Sequence, residues 1–373
     1  MRALRYRASP AMFLLAGTLG KRAPIGLAPL RLERVERPTP APGWRSVDVR
    51  LAGVCGSDLA LLFGKSSPRL SPFFSFPAVL GHEILGEAEG SRVVVNPVVA
   101  CAELGREQCG PCERGDDNHC ANVAEGPLAP GLIGYNRDLP GGWGETLVAR
   151  EARVHAVPDS VPDERAVLAE PFAVGWRAAR IACLHGASAR LLVIGSGTIG
   201  LATIAALRHV GFSGEVYAVA RYADQGERAT AMGADRVHAD TAAAGASVGA
   251  RSYRATIGPP AWRGGFDIVI DAAGSRSSLD ASLWAAREGG TVVLVGGPGT
   301  LRHDFSPHWF REVSLVGSYI YTAADFAAAV AALPRVSALD HVALRRSTLE
   351  DFRTAIADQR ARRGAKVVFE AHP

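Results

Sequence analysis

The sequence predicts a two-domain α/β chain: a first domain of short strands forming a β-barrel or open sheet, then a doubly wound parallel sheet. Three observations carry this. Residues 190–200 run a short apolar strand into a glycine cluster, and the alanine- and leucine-rich stretch 201–210 reads as a helix. From Pro171 onward, strand-like and helix-like segments alternate, which predicts a parallel sheet covered on both faces. Before Pro171 the chain is rich in Gly, Pro and Val, with short alternating runs such as 47–51 and 91–95. At 373 residues the chain is too long for one ordinary core.

The glycine cluster is a G-x-G-x-x-G between strand and helix, the context that gives the motif meaning. Gly195 permits the tight turn, Gly197 lets backbone N–H groups reach a pyrophosphate, and Gly200 lets helix and strand pack closely. Phosphates then lie on the positive end of the helix. Ser196, Thr198 and Ile199 complete this cofactor-binding loop. A second parallel strand is expected at 216–219, with others at 267–270 and 291–295 and a closing strand at 313–317. Helices are expected at 223–232, 277–287, 323–332 and 349–360, and a last strand at 366–369. Residues 12–28 and 63–77 read as surface loops, and 241–263 carries no clear pattern.

Composition narrows the function. A net charge of +4 without a lysine/arginine block argues against nucleic acid as a partner. No apolar run is long enough to span a bilayer, and the apolar core at 12–17 is too short for a signal peptide, so a cytoplasmic location and no membrane partner are expected. In that compartment six cysteines are more often metal ligands than disulfides. Cys101, Cys109, Cys112 and Cys120 crowd into twenty residues, enough thiolates for a closed tetrahedral zinc. Such a closed shell has no room for substrate, so its role is structural.

Cys55-Gly56-Ser57-Asp58 and Gly81-His82-Glu83 supply a thiolate, an imidazole and a carboxylate in the first domain, ligand types that suit a zinc with an open position. Glu170-Pro171 marks the domain boundary, where Pro171 suits the first position of a helix and holds Glu170 extended at its mouth. Glu170 there is either a ligand or a carboxylate that stabilises the helix dipole. Phe74, Phe76, Tyr135 and Trp143 are core or pocket aromatics, with Tyr135 and Trp143 leaning toward the pocket.

Together these motifs resemble the zinc-dependent medium-chain dehydrogenase/reductase family, which includes alcohol, polyol, threonine and sugar dehydrogenases. The resemblance covers most of the chain, and segments 266–274 and 289–297 extend it. It implies a GroES-like β-barrel catalytic domain over 1–171, a Rossmann domain over 172–318, and a C-terminal segment, 319–373, returning to the catalytic domain. It implies catalytic zinc on Cys55 and His82, completed by Glu83 or Glu170, with Asp58 orienting His82 and Ser57 accepting the alcohol proton. Val295 and Gly296 fall to the cofactor. A homodimer or homotetramer acting on a small-molecule substrate is expected. Three departures stand out: Ala60 occupies the position where relay-type relatives carry a histidine, Cys101 and Cys109 are more widely spaced than usual, and the loops expected at 12–28 and 63–77 exceed the common pattern.

The function expected is hydride transfer between a nicotinamide cofactor and a secondary alcohol, polyol, sugar or cyclitol, or its ketone. The alternatives are a reductase of activated C=C or C=N bonds, which Ala60 keeps open, and a non-catalytic nucleotide-binding protein. NADP is expected over NAD, because the second Rossmann strand ends at Ala220 where an NAD-type site needs a carboxylate. Arg221 and Tyr222 follow, and a guanidinium there can grip a 2′-phosphate bidentately.

Overall fold

The computed structural model describes residues 1–297, 299–361 and 366–372, with the Lys21 side chain excepted. The chain forms two compact units, one of Met1–Glu170, Thr322–Arg335 and Ala343–Pro373, the other of Pro171–Tyr321 and Val336–Val342. The C-terminal return expected over 319–373 is therefore interrupted, because residues 319–321 and Val336–Val342 pack with the second unit.

The first unit is organised on the strand Trp44–Gly53. It pairs antiparallel with Glu83–Ala88, Thr146–Arg150 and Lys366–Glu370. The sheet continues through Ser91–Val95 to Val154–Ala156 on one side and to Leu344–Thr348 on the other. Val47 and Val49 point inward while Asp48 and Arg50 point out, the period-two pattern of a half-buried strand. With Leu4, Trp143, Leu147 and Phe369 they build the core of this unit. A smaller sheet of Leu30–Arg34, Arg2–Tyr6 and Ala78–Val79 accompanies it.

The stretch 12–28, expected as a loop, holds a helix, Pro10–Leu19. Ser9 Oγ accepts the Met12 N–H at 3.4 Å and Pro10 occupies the first helical turn, an N-terminal signal that the glycine- and proline-rich surroundings obscured. The stretch 63–77 likewise contains a 3₁₀ helix, Pro68–Phe73. The two segments meet at paired glycines: a Cβ on Gly64 would fall 2.1 Å from the Phe13 carbonyl oxygen, and one on Gly17 would fall 2.8 Å from that of Gly64.

The second unit is a six-stranded, all-parallel sheet. Its spatial order is Arg236–His238, Val216–Val219, Leu191–Ile194, Phe266–Asp271, Ala286–Leu294, Ser314–Gly317. Numbered along the chain this is 3-2-1-4-5-6, the order of a dinucleotide-binding Rossmann sheet. The helices Thr198–Leu207, Ala223–Ala231 and Arg276–Ala285 stand close to the expected positions. The last ends two residues early because Ala286 and Arg287 already belong to the strand Ala286–Leu294. The unassigned stretch 241–263 resolves into a helix, Thr241–Ser247, and a two-stranded ribbon of Arg251–Tyr253 and Ala261–Arg263. No helix among the described residues is long and apolar enough to cross a membrane.

Candidate active site and metal centres

Cys55 follows the end of the strand Trp44–Gly53 and caps the helix Gly56–Leu62. Its N–H donates to Asp58 Oδ2 at 2.8 Å, which fixes Asp58 against the helix start. His82 and Glu83 enter the neighbouring strand after Gly81, whose φ of +94° makes the turn. Gly53 lies opposite Glu83 in the sheet, and a Cβ there would come within 1.8 Å of Glu83 Oε2. Glycine at 53 is thus what leaves room for a carboxylate in the barrel.

These strands bring one ligand atom each from Cys55, His82 and Glu83 within 4.8 Å of one another. His82 Nδ1 is buried without a hydrogen-bond partner and lies 3.5 Å from Asp58 Oδ1, in line with Asp58 steering the ring. Burial opposes charge on His82, but Asp58 and the Cys55 thiol outweigh it and hold its pKa well above the usual range. Burial also raises the pKa of Asp58, against the pull of His82. A thiol, an imidazole and a carboxylate gathered around an unsatisfied imidazole form a donor set that fits zinc.

Glu170 is buried and its charge bears on both His82 and Lys366, but it lies outside the close ligand group. It is not extended: it stands in the first turn of the helix Ala169–Leu184. Pro171 is tolerated there because the N–H groups of a first turn have no intrahelical partner.

Lys366 escaped the sequence reading, and Tyr135, read there as leaning toward the pocket, has a hydrogen-bonding role that the sequence did not indicate. Lys366, on the last strand, places Nζ 2.9 Å from Glu83 Oε1 and 2.6 Å from Oε2, with both side chains buried. Tyr135 donates its hydroxyl to Asp58 Oδ1 at 2.7 Å and lies 3.2 Å from Ser57 Oγ. Burial pushes the Tyr135 pKa well up, with the Asp58 charge adding to it, so the phenol keeps its proton. Ser57 itself is exposed. Trp143 is core instead: it is fully buried and its Nε1 donates to the Gly53 carbonyl at 3.1 Å. Phe74 and Phe76 pack against the same core.

The four thiols Cys101, Cys109, Cys112 and Cys120 converge with ligand atoms within 4.8 Å, and none forms a disulfide. The Sγ separations Cys101–Cys120 and Cys109–Cys120 are 3.6 and 4.0 Å. Four thiolates at the usual zinc–sulfur distance stand about 3.8 Å apart, so the cluster fits a closed tetrahedral zinc. The Cys109 N–H donates to Cys101 Sγ, and backbone hydrogen bonds from Cys112 and Ala121 to the Cys109 thiol pull its pKa down to about 6. The lobe is anchored by Arg153, which pairs at 3.0 Å with Glu103 and at 2.6 Å with Asp117 in a buried network.

In the second unit Gly195 adopts φ +107°, and a Cβ on Gly200 would fall 1.7 Å from the Gly195 carbonyl oxygen. Gly197 caps the helix Thr198–Leu207, and a Cβ there would meet nothing within 4 Å, which leaves its backbone open to a ligand. Thr198 and Ile199 begin that helix, and Ser196 Oγ donates to the Val219 carbonyl at 2.7 Å. Val295 and Gly296 both donate backbone N–H groups to the Asp271 carbonyl at 3.0 Å, in the turn after the strand Ala286–Leu294. Gly296 packs on Gly274 so closely that a Cβ at 296 would lie 2.4 Å from the Gly274 nitrogen. The strand Val216–Val219 ends where expected, followed by buried Ala220, exposed Arg221 and Tyr222, the cap of the helix Ala223–Ala231. Arg221 has no ion-pair partner among the described residues, while Asp224 pairs with Arg228 at 3.0 Å.

Comparison with known proteins agrees with this layout. Residues 41–159 match the alcohol dehydrogenase GroES-like domain, and residues 198–335 match the zinc-binding dehydrogenase family. The chain is 31% identical over 323 residues to a probable diacetyl reductase [(R)-acetoin forming] of Saccharomyces cerevisiae, spanning 79% of this chain and 74% of the relative. It is 31% identical over 327 residues to the L-galactonate-5-dehydrogenase of Escherichia coli K12, spanning 80% and 83%. Among solved structures, the rspB short chain alcohol dehydrogenase of Escherichia coli CFT073, complexed with NADH, shares the fold at a TM-score of 0.73 and 24% identity, covering 99% of each chain.

Proposed function

Because this chain belongs to the zinc-dependent medium-chain dehydrogenase/reductase family and is an NAD(P)-dependent oxidoreductase, we propose that it interconverts a secondary alcohol of a polyol, sugar or cyclitol with its ketone, using NADP. The reading rests above all on the convergence of Cys55, His82 and Glu83 beside Ser57 and Tyr135. A polyol-type substrate is in keeping with the L-galactonate-5-dehydrogenase to which the chain is similar. Membership in an enzyme family removes the non-catalytic alternative.

When bound, zinc supplies Lewis acidity at the substrate oxygen and the nicotinamide accepts or returns the hydride. Cys55, His82 and Glu83 or Glu170 would hold the catalytic ion, with Asp58 and Lys366 fixing His82 and Glu83. Ser57 takes the alcohol proton. The exposed Ser57 releases its own proton to solvent, and the Tyr135 hydroxyl, 3.2 Å from Ser57 Oγ and donating to Asp58 Oδ1 at 2.7 Å, joins Ser57 to Asp58 and holds it in place. Ser57 and solvent stand in for the histidine that is absent at Ala60.

Cofactor choice is assigned to Arg221. A buried alanine at the strand end cannot hydrogen-bond the ribose hydroxyls, and the adjacent guanidinium is exposed and unpaired among the described residues. Asp224, the nearby carboxylate, is engaged with Arg228. We also assign a homodimer or homotetramer, supported by the exposed Phe310 and Leu315 at and beside the edge strand Ser314–Gly317.

The test is turnover by zinc-replete enzyme, with both nicotinamide cofactors, on a panel of polyols, sugars, cyclitols and simple secondary alcohols. Activity confined to hydroxylated substrates and favouring NADP is expected. Turnover only with activated alkenes or imines overturns the assignment.

A further inference from the structure

We infer that Asp280, His303 and His308 form a third metal site, for a divalent first-row transition ion, in the nucleotide-binding unit. One ligand atom from each of the three lies within 4.8 Å of the other two. The carboxylate comes from the helix Arg276–Ala285, and the imidazoles come from the segment leading into and along the short helix Ser306–Phe310. Neither the zinc-binding residues nor the glycine loop described above includes any of them.

The imidazoles carry the argument. His308 is 3% exposed, and its Nδ1 is buried with no hydrogen-bond partner. His303 Nε2 is buried and unpartnered in the same way. Buried polar nitrogens are ordinarily satisfied, so two unsatisfied ones side by side call for a ligand. The rings are stacked with centroids 5.2 Å apart and an interplanar angle of 18°, which lets their nitrogens face one space. Asp280 makes no hydrogen bond among the described residues, so its oxygens are available to the same space.

The surroundings hold this geometry. His308 packs edge-on against Trp284 at 5.3 Å, and the Arg311 guanidinium covers the same indole at 5.1 Å. The Arg311 charge is met by Glu288 at 3.3 Å. Ligand atoms on one tetrahedral zinc stand about 3.3 Å apart, so ion binding draws the three together. Asp280 and His303 are half-buried, whereas His308 is buried. Two imidazoles and a carboxylate favour zinc, cobalt, nickel or copper over magnesium or calcium. A bound ion ties the helix Arg276–Ala285 to the segment that follows the Gly296 turn.

The experiment compares whole zinc-loaded enzyme with Asp280→Asn and His303→Gln, both at half-buried positions that the core does not need. Each protein is titrated calorimetrically with zinc, the metal content is measured after gel filtration, and the melting temperature is recorded with and without added zinc. Wild type is expected to take up one ion per chain more than either variant, and to melt higher with zinc by a margin both variants lose. The variants should bind that last ion at least tenfold more weakly while keeping the same thiolate-bound zinc. Equal metal content and equal zinc-induced stabilisation in all three proteins would overturn the site. So would a wild type that gains no ion at millimolar zinc.

Discussion

Lys366 Nζ lies between the two carboxylate oxygens of Glu83, 2.9 Å from one and 2.6 Å from the other, with 3% and 1% of the two side chains exposed. Burial works against the lysine's charge, but Glu83 outweighs it and holds the Lys366 pKa above its ordinary value. The strand Lys366–Glu370 reaches this position by pairing with Trp44–Gly53, the strand that also carries Glu83's neighbour Gly53. The C-terminal strand therefore places a cation behind a candidate zinc ligand, neutralising it and fixing its orientation.

Removing one partner of such a pair leaves an uncompensated buried charge. Lys366→Met should cost about 3–5 kcal/mol of stability, and adding Glu83→Gln should restore much of it. Denaturant unfolding of wild type, both single variants and the double variant checks this. Additive losses would show that the two groups are not coupled.

The two metal centres should respond differently to loss of a ligand. Cys55→Ala is expected to abolish turnover while leaving the fold and nicotinamide binding nearly intact. Cys112→Ala opens the four-thiolate cluster, and structural zinc contributes directly to folding, so it should lower the melting temperature and release one zinc. Metal analysis beside thermal unfolding decides it. A Cys112→Ala protein that is inactive yet as stable as wild type contradicts the assignment.

Arg153 is bonded to Glu103 and Asp117 beside that cluster, and Asp117 also accepts the Ala323 N–H at 2.8 Å. Arg153→Met strands two carboxylates, one of them buried, at a cost of about 3–5 kcal/mol. The loss should appear first as faster zinc release from the thiolate lobe, followed with a colorimetric chelator. Unchanged release would show that the lobe stands without this anchor.

The residues that the sequence made legible are those whose meaning is local. Gly195, Gly197 and Gly200 lie next to one another, and the backbone they require follows from the turn itself. The apolar runs of the parallel strands and the clustered Cys109, Cys112 and Cys120 are local in the same sense, and Cys101 joins them through the fold despite its wider spacing. Lys366 and the bond of Tyr135 to Asp58 were not legible, because the partners lie 283 and 77 residues away and only strand pairing and loop packing bring them together; Tyr135 was read only as an aromatic leaning toward the pocket. The helix Pro10–Leu19 was missed for a different reason: its Ser9-Pro10 start is a capping signal, read there as loop composition.

Tyr135 tests the proton route. Tyr135→Phe keeps the ring beside His82, at 5.3 Å between centroids, and removes only the hydroxyl that joins Ser57 to Asp58. The expected result is a fall in kcat of about a hundredfold, the scale of general acid–base assistance, with zinc content unchanged. The solvent isotope effect on kcat should change with it. A variant with wild-type kcat and isotope effect would show that Ser57 works without Tyr135 holding it.

Arg221 is the residue proposed to carry the cofactor preference. A charge-assisted contact to the 2′-phosphate is worth about 1.5–3 kcal/mol, so wild type should favour NADP by about ten- to a hundredfold in kcat/KM. Arg221→Ala should lose most of that preference and leave NAD use almost unchanged. A wild type that favours NAD, or a variant whose NADP preference is undiminished, contradicts the placement of Arg221.

The central claim is hydride transfer that depends on a metal held by Cys55 and His82. The most direct measurement is cofactor reduction at saturating polyol, followed through chelation of the enzyme and stepwise return of zinc, in wild type and Cys55→Ala. The account predicts that wild-type turnover disappears on chelation and returns with the catalytic equivalent of zinc, while Cys55→Ala stays inactive throughout. Full turnover by the chelated enzyme, or by Cys55→Ala, would contradict it.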